Sequence, residues 1–72
     1  MQVTTGSTIR TDVPCRSDDN QKPIPAGSTG VVREVFTDPL GGYRVELKVD
    51  DKTVQTATLY PYQFTVVEQE SN

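Results

Sequence analysis

The stretch "PAGSTGVVREVF", residues 25–36, decides how the rest of the chain is read. Gly27 and Gly30 stand three residues apart and run straight into a β-branched segment. Glycine weakens a regular strand, because it loses more backbone entropy than other residues and packs nothing. It is favoured where the chain turns with positive φ, or where a second backbone comes close. Gly27 is accordingly read as closing a loop and Gly30 as a point of close approach. Val32 and Val35 are also three apart, which puts them on opposite faces of a regular strand. Both reach one core only if a β-bulge adds a residue around Arg33-Glu34 and bends the strand. Glycines at the corners of a sharply bent strand are the mark of a sheet curling toward closure.

Outward from this stretch the pattern is all-β. Five prolines and five glycines punctuate short β-branched segments, with no helical periodicity between them. "STIRTDV", residues 7–13, places Ile9 and Thr11 on one face and Thr8, Arg10 and Asp12 on the other, and Pro14 stops it. Residues 14–26, "PCRSDDNQKPIPA", form a long polar connection with little strand or helix signal. After the turn "TDPLGG", with Asp38-Pro39 and Gly41-Gly42, comes the cleanest alternation in the chain. "YRVELKV" sets Tyr43, Val45, Leu47 and Val49 against Arg44, Glu46 and Lys48. Asp50-Asp51-Lys52 reads as a hairpin turn leading to "TVQTATL", residues 53–59. In "YPYQ", Pro61 fixes φ and suits one turn of 3₁₀ helix. "FTVVE" is the last strand, with Phe64 and Val66 facing one way and Thr65 and Val67 the other. The organisation expected is a flexible start over residues 1–6, one domain over 7–68 and a frayed tail over 69–72.

Composition narrows the function classes. A chain of 72 residues buries a thin core and often leans on a staple or a partner. Cys15 is the sole cysteine, so no internal disulfide exists, and histidine is absent altogether. That removes the commonest zinc ligand and the usual acid–base group near neutral pH. Seven basic residues oppose ten acidic ones, for a net charge of −3. Arg10, Arg16, Lys22, Arg33, Arg44, Lys48 and Lys52 are dispersed, whereas a phosphate backbone calls for clustered cations, so nucleic acid is not the expected partner. No apolar run reaches the ~20 residues of a membrane helix, and the start lacks the basic and apolar blocks of a signal peptide. A cytoplasmic setting is expected, in keeping with one unpaired thiol.

The spacing Gly27-x-x-Gly30-x-Val32-x-x-Val35, followed by an alternating strand, resembles the KOW-type core of SH3-like barrels. "DDNQKPIPAGSTGVVREVF…GGYRVEL" is similar to short bacterial and phage proteins of unknown function. They too carry an acidic, proline-rich first loop and a final aromatic after a 3₁₀ turn. The resemblance runs from about Thr8 to Val67. It implies a small five-stranded SH3-like barrel with a long first loop and a 3₁₀ turn before the last strand. A weaker likeness is to the type II dihydrofolate reductases, tetramers of such barrels whose pore carries a contiguous Val-Gln-Ile-Tyr run. Here Gly42-Tyr43-Arg44-Val45-Glu46, Val54-Gln55 and Tyr60-Pro61 match, but residues 56–59 separate the glutamine from the tyrosine. SH3-like accessory subunits of photosynthetic and redox complexes match in length, with no shared motif.

Candidate sites are weighed against plainer readings. Asp18-Asp19-Asn20 offers oxygen ligands to a cation but lacks the alternating spacing of a calcium loop. Such residues ordinarily cap their own loop. Glu46 and Asp50-Asp51 are acid–base candidates without a histidine, and a hairpin tip leaves them solvated. Cys15 beside Arg16 is a nucleophile candidate without a positioned base, and otherwise a small hydrophobe. In barrels of the kind resembled, the first loop and the 3₁₀ turn lie near each other. The binding surface is therefore assigned to Phe36, Tyr60, Pro61 and Tyr62 together with Asp18, Asp19, Pro23 and Pro25. One tyrosine is expected to plug the barrel end and the other to be exposed. The function expected is a non-catalytic binding or accessory module, without cofactor or metal, that docks a protein partner or another copy. A nicotinamide-dependent reductase tetramer and a KOW-type nucleic-acid module are the alternatives.

Overall fold

The computed structural model describes residues 3–37 and 41–68. In chain order these form β1 (Thr8–Thr11), β2 (Cys15–Arg16), β3 (Pro23–Ile24), β4 (Thr29–Val35), β5 (Tyr43–Lys48) and β6 (Val54–Leu59). A 3₁₀ turn over Pro61–Gln63 then leads into β7 (Phe64–Glu68). Five strands make one antiparallel sheet in the order β6-β5-β4-β1-β7, while β2 and β3 pair with each other. The turn at Asp38-Pro39, the tail 69–72 and the first two residues of the expected flexible start lie outside the described residues.

Both glycines of residues 25–36 do what their positions require. Gly27 has φ +90° and its N–H reaches the Thr11 carbonyl at 2.8 Å, which turns the chain into β4. Gly30 pairs with Ile9 on one side and Leu47 on the other. A Cβ there would collide with the Glu46 carbonyl oxygen and stand 2.9 Å from Glu46 C and Leu47 Cα. Register slips between Val32↔Val45 and Glu34↔Arg44, leaving Arg33 as the extra residue of a bulge. Val35 then lies opposite Tyr43, on the side that Val32 shares with Val45. It is not buried, however. Val35 ends β4 where the sheet no longer covers it, and stays 36% exposed, so of the two valines only Val32 enters the core.

Ile9, Ile24, Val32, Val45, Leu47, Ala57, Leu59 and Phe64 are buried in one cluster drawn from every strand of the main sheet. The Tyr43 and Phe64 rings meet edge-to-face, with planes at 89° and centroids 5.5 Å apart. Their strands are separated by β4 and β1, about 14 Å on a flat sheet at ~4.8 Å per step. The sheet therefore curls, bringing side chains of β5 and β7 together across its concave face. The ladder extends N-terminally: Gly6 donates to the Val32 carbonyl and Val32 to the Ser7 carbonyl, both at 2.9 Å.

Residues 14–26 hold more structure than their polarity promises. Cys15 pairs with Ile24 and Arg16 with Pro23, so the long connection is a short ribbon. Ile24, fully buried between two prolines, anchors it. The tip is capped by its own side chains. The Ser17 hydroxyl bonds the Asn20 side-chain oxygen and accepts the Lys22 N–H at 3.0 Å, and Gln21 takes a left-handed φ of 56°.

Candidate functional site

The 3₁₀ turn builds the aromatic part of the site. Pro61 sets its first φ, the Gln63 side chain accepts the Tyr60 N–H at 2.8 Å, and the Gln63 N–H returns to the Tyr60 carbonyl at 2.9 Å. Tyr60 and Tyr62 are thereby held with ring planes 7° apart and centroids at 6.3 Å. Tyr62 is 80% exposed and Tyr60 half-buried. Gly42 lies beneath: a Cβ on it would be 3.2 Å from the Tyr60 ring and 3.7 Å from the Phe36 ring. The missing side chain lets the two rings settle over one spot of backbone. Arg44 continues the ridge, its guanidinium 5.5 Å from the Phe36 centroid and 3.1 Å from the Glu34 carboxylate. Tyr43, the third tyrosine, packs inward on Phe64.

Asp18 and Asp19 reach this surface through β6. The Asp18 N–H donates to the Thr56 carbonyl at 2.8 Å, and its carboxylate accepts the Thr58 N–H at 3.1 Å and the Thr58 hydroxyl at 2.9 Å. Asp18, Asp19, Arg44 and Thr56 line an open cleft of about 310 Å³. Arg44 is the junction, lining the cleft while lying over Phe36. Phe36, Tyr60, Tyr62, Asp18 and Asp19 thus form one continuous surface, with Pro61 in the turn beneath the tyrosines. Pro23 and Pro25 sit elsewhere, Pro23 opposite Arg16 in the ribbon and Pro25 with its carbonyl accepting the Thr11 and Ser28 hydroxyls. Arg44, Thr58 and Gly42 were missed by reading along the chain. Alternation puts Arg44 on the outer face, but only the register shows it beside Thr58 and Phe36.

The reactive-group candidates are accounted for structurally. Burial, and secondarily the negative charge of Asp18, raises the Cys15 thiol above its ordinary value, which opposes thiolate formation. Asp50 accepts the Lys52 and Thr53 N–H groups at 2.8 Å, which hold its carboxyl below the usual range, so it caps the hairpin. Glu46 pairs with Arg33 at 2.8 Å on the open surface. Among the described residues no group of three His, Cys, Asp or Glu side chains could hold a metal ion. Gln55 and Tyr60, the split ends of the reductase-like run, are five residues apart along extended chain, roughly 17 Å.

Among the described residues no helix is long and apolar enough to cross a membrane. No family description, curated protein or solved structure matches this chain.

Proposed function

We propose that the protein is an SH3-like barrel that acts as a non-catalytic docking module in the cytoplasm, gripping an extended, proline-containing segment of a protein partner. The grip is the ridge of Tyr62, Tyr60, Phe36 and Arg44, with the Asp18-Asp19 cleft beside it. The barrel reading rests on the curl that brings Tyr43 of β5 against Phe64 of β7. The docking reading rests on one observation. Tyr62 leaves 80% of its surface in water, yet a capped turn holds it parallel to Tyr60. A rigid, exposed aromatic loses little conformational entropy on binding, and proline-rich segments arrive already extended.

A short polyproline peptide titrated into isotope-labelled protein tests this. Amide shifts should concentrate at Phe36, Gly42, Tyr60, Tyr62 and Gln63, and Tyr62→Ala should weaken binding about tenfold while the fold stays intact. Shifts that avoid this ridge, or an affinity indifferent to Tyr62→Ala, would refute the reading.

A further inference from the structure

We propose that Asp18 is a removable guard on the outer edge of β6, and that the edge beneath it is a strand-addition site for β6 of a second copy of this chain. The idea shares Asp18 with the cleft beside the tyrosines, but it needs no ligand bound there. β6 ends the five-stranded sheet, and an end strand presents backbone groups that template pairing with another extended chain unless something blunts them. Its own residues do not blunt them. "VQTATL" carries no charge, no proline and no glycine, the composition of segments that pair with copies of themselves. Laid antiparallel on its copy, this strand brings no like charges face to face.

The blunting comes from 40 residues away in the chain. Asp18 donates its N–H to the Thr56 carbonyl at 2.8 Å and accepts the Thr58 N–H at 3.1 Å. A single residue thus takes two edge bonds that an incoming strand would make. The opposite edge is protected by other means, since Val67 is skipped where the β1–β7 register shifts, and such a bulge twists an edge strand away.

How the guard is mounted makes it removable. The base of the ribbon is fixed, with Ile24 fully buried and Cys15 packed against the core. The tip is a separate unit tied to itself, through Ser17, Asn20 and Lys22 and through the Arg16 guanidinium on the Gln21 carbonyl at 2.9 Å. Residues 18–22 are all exposed and Ser17, fully buried, is the pivot, so swinging the tip from Asp18 outward withdraws no apolar side chain from the core.

The test compares wild type with Asp18→Ala by light scattering over micromolar to millimolar concentrations, and by amide hydrogen exchange. Wild type should be monomeric. Asp18→Ala should dimerise with rising concentration and exchange the Thr58 amide about tenfold faster when dilute. Adding Val54→Lys, a charge on the bare part of the strand, should restore the monomer. A folded Asp18→Ala that stays monomeric overturns the proposal, as does a wild type that dimerises equally or a dimer that survives Val54→Lys. Should Asp18→Ala not fold, wild-type exchange decides. A local, denaturant-independent opening at Thr58, faster than exchange at Leu47, supports a removable guard; exchange of both only by global unfolding overturns it.

Discussion

Replacing Gly30 with alanine adds one methyl group where the sheet has no room for it. The new Cβ would overlap the Glu46 carbonyl and approach Glu46 C and Leu47 Cα to 2.9 Å, distances real Cβ atoms essentially never show. All three neighbours are backbone, so no rotamer change relieves the contact and β4 must move off β5. That movement pulls on a row running through Ile9, Gly30, Leu47 and Gln55, in which Ile9 and Leu47 are fully buried. Overpacking costs about 1–3 kcal/mol, and a clash with backbone on this row belongs at the upper end, ~3 kcal/mol. A chain of 72 residues has only about 4–11 kcal/mol in total. Urea unfolding, with a slope of ~1 kcal/mol/M for so small a domain, should show the midpoint falling by about 3 M or the fold lost outright. Gly27→Ala is the control. Nothing lies within 4 Å of its Cβ position, and only its φ of +90° is strained, so about 1–2 kcal/mol should be lost. If Gly30→Ala came within about 0.5 kcal/mol of wild type, or matched Gly27→Ala, the close approach of β4 and β5 would be wrong.

Other outcomes follow from the same contacts. Ile24→Ala should cost about 2–5 kcal/mol in urea unfolding, because a fully buried side chain is removed; a cost under ~1 kcal/mol would mean the ribbon is not anchored in the core. The Asp50 carboxyl, held down by the Lys52 and Thr53 amides, stabilises the hairpin above its unfolded value and releases it as pH falls. Amide signals of Lys52 and Thr53 should therefore titrate with a midpoint below 3.8, and one at or above 3.8 refutes the cap. Alkylation of Cys15 should follow a pH midpoint above 9.0 that moves back down in Asp18→Asn, whereas a midpoint below 9.0 contradicts the burial and charge that surround the thiol.

The parts of the fold that could be read along the chain are those set by local chemistry. The parity break at Val32 and Val35 located the bulge at Arg33, and strict alternation from Tyr43 located β5. Pro61 located the 3₁₀ turn. Ile24 escaped notice because one apolar residue between two prolines has no periodicity to betray it, yet it turns a polar connection into a ribbon. Val35 was misjudged because parity fixes the side a residue faces, while burial depends on how far the sheet extends over it. The site divides the same way. Tyr60 and Tyr62 stand out as aromatics flanking a proline, but the union of Asp18 with Thr58 and of Arg44 with Phe36 exists only once strands are in register.

The pairing of β1 with β7 sets the order in which such a chain can mature during synthesis. Its first strand waits between β4 and a segment some 53 residues further along, and Phe64 cannot meet Tyr43 until that segment is made. A chain halted near residue 60 would hold four strands, β6-β5-β4-β1, with an apolar face that Phe64 does not yet cover, open to proteases and chaperones. Folding here is an act of completion, and the arrival of β7 beside β1 decides whether the strands made before it stay in place.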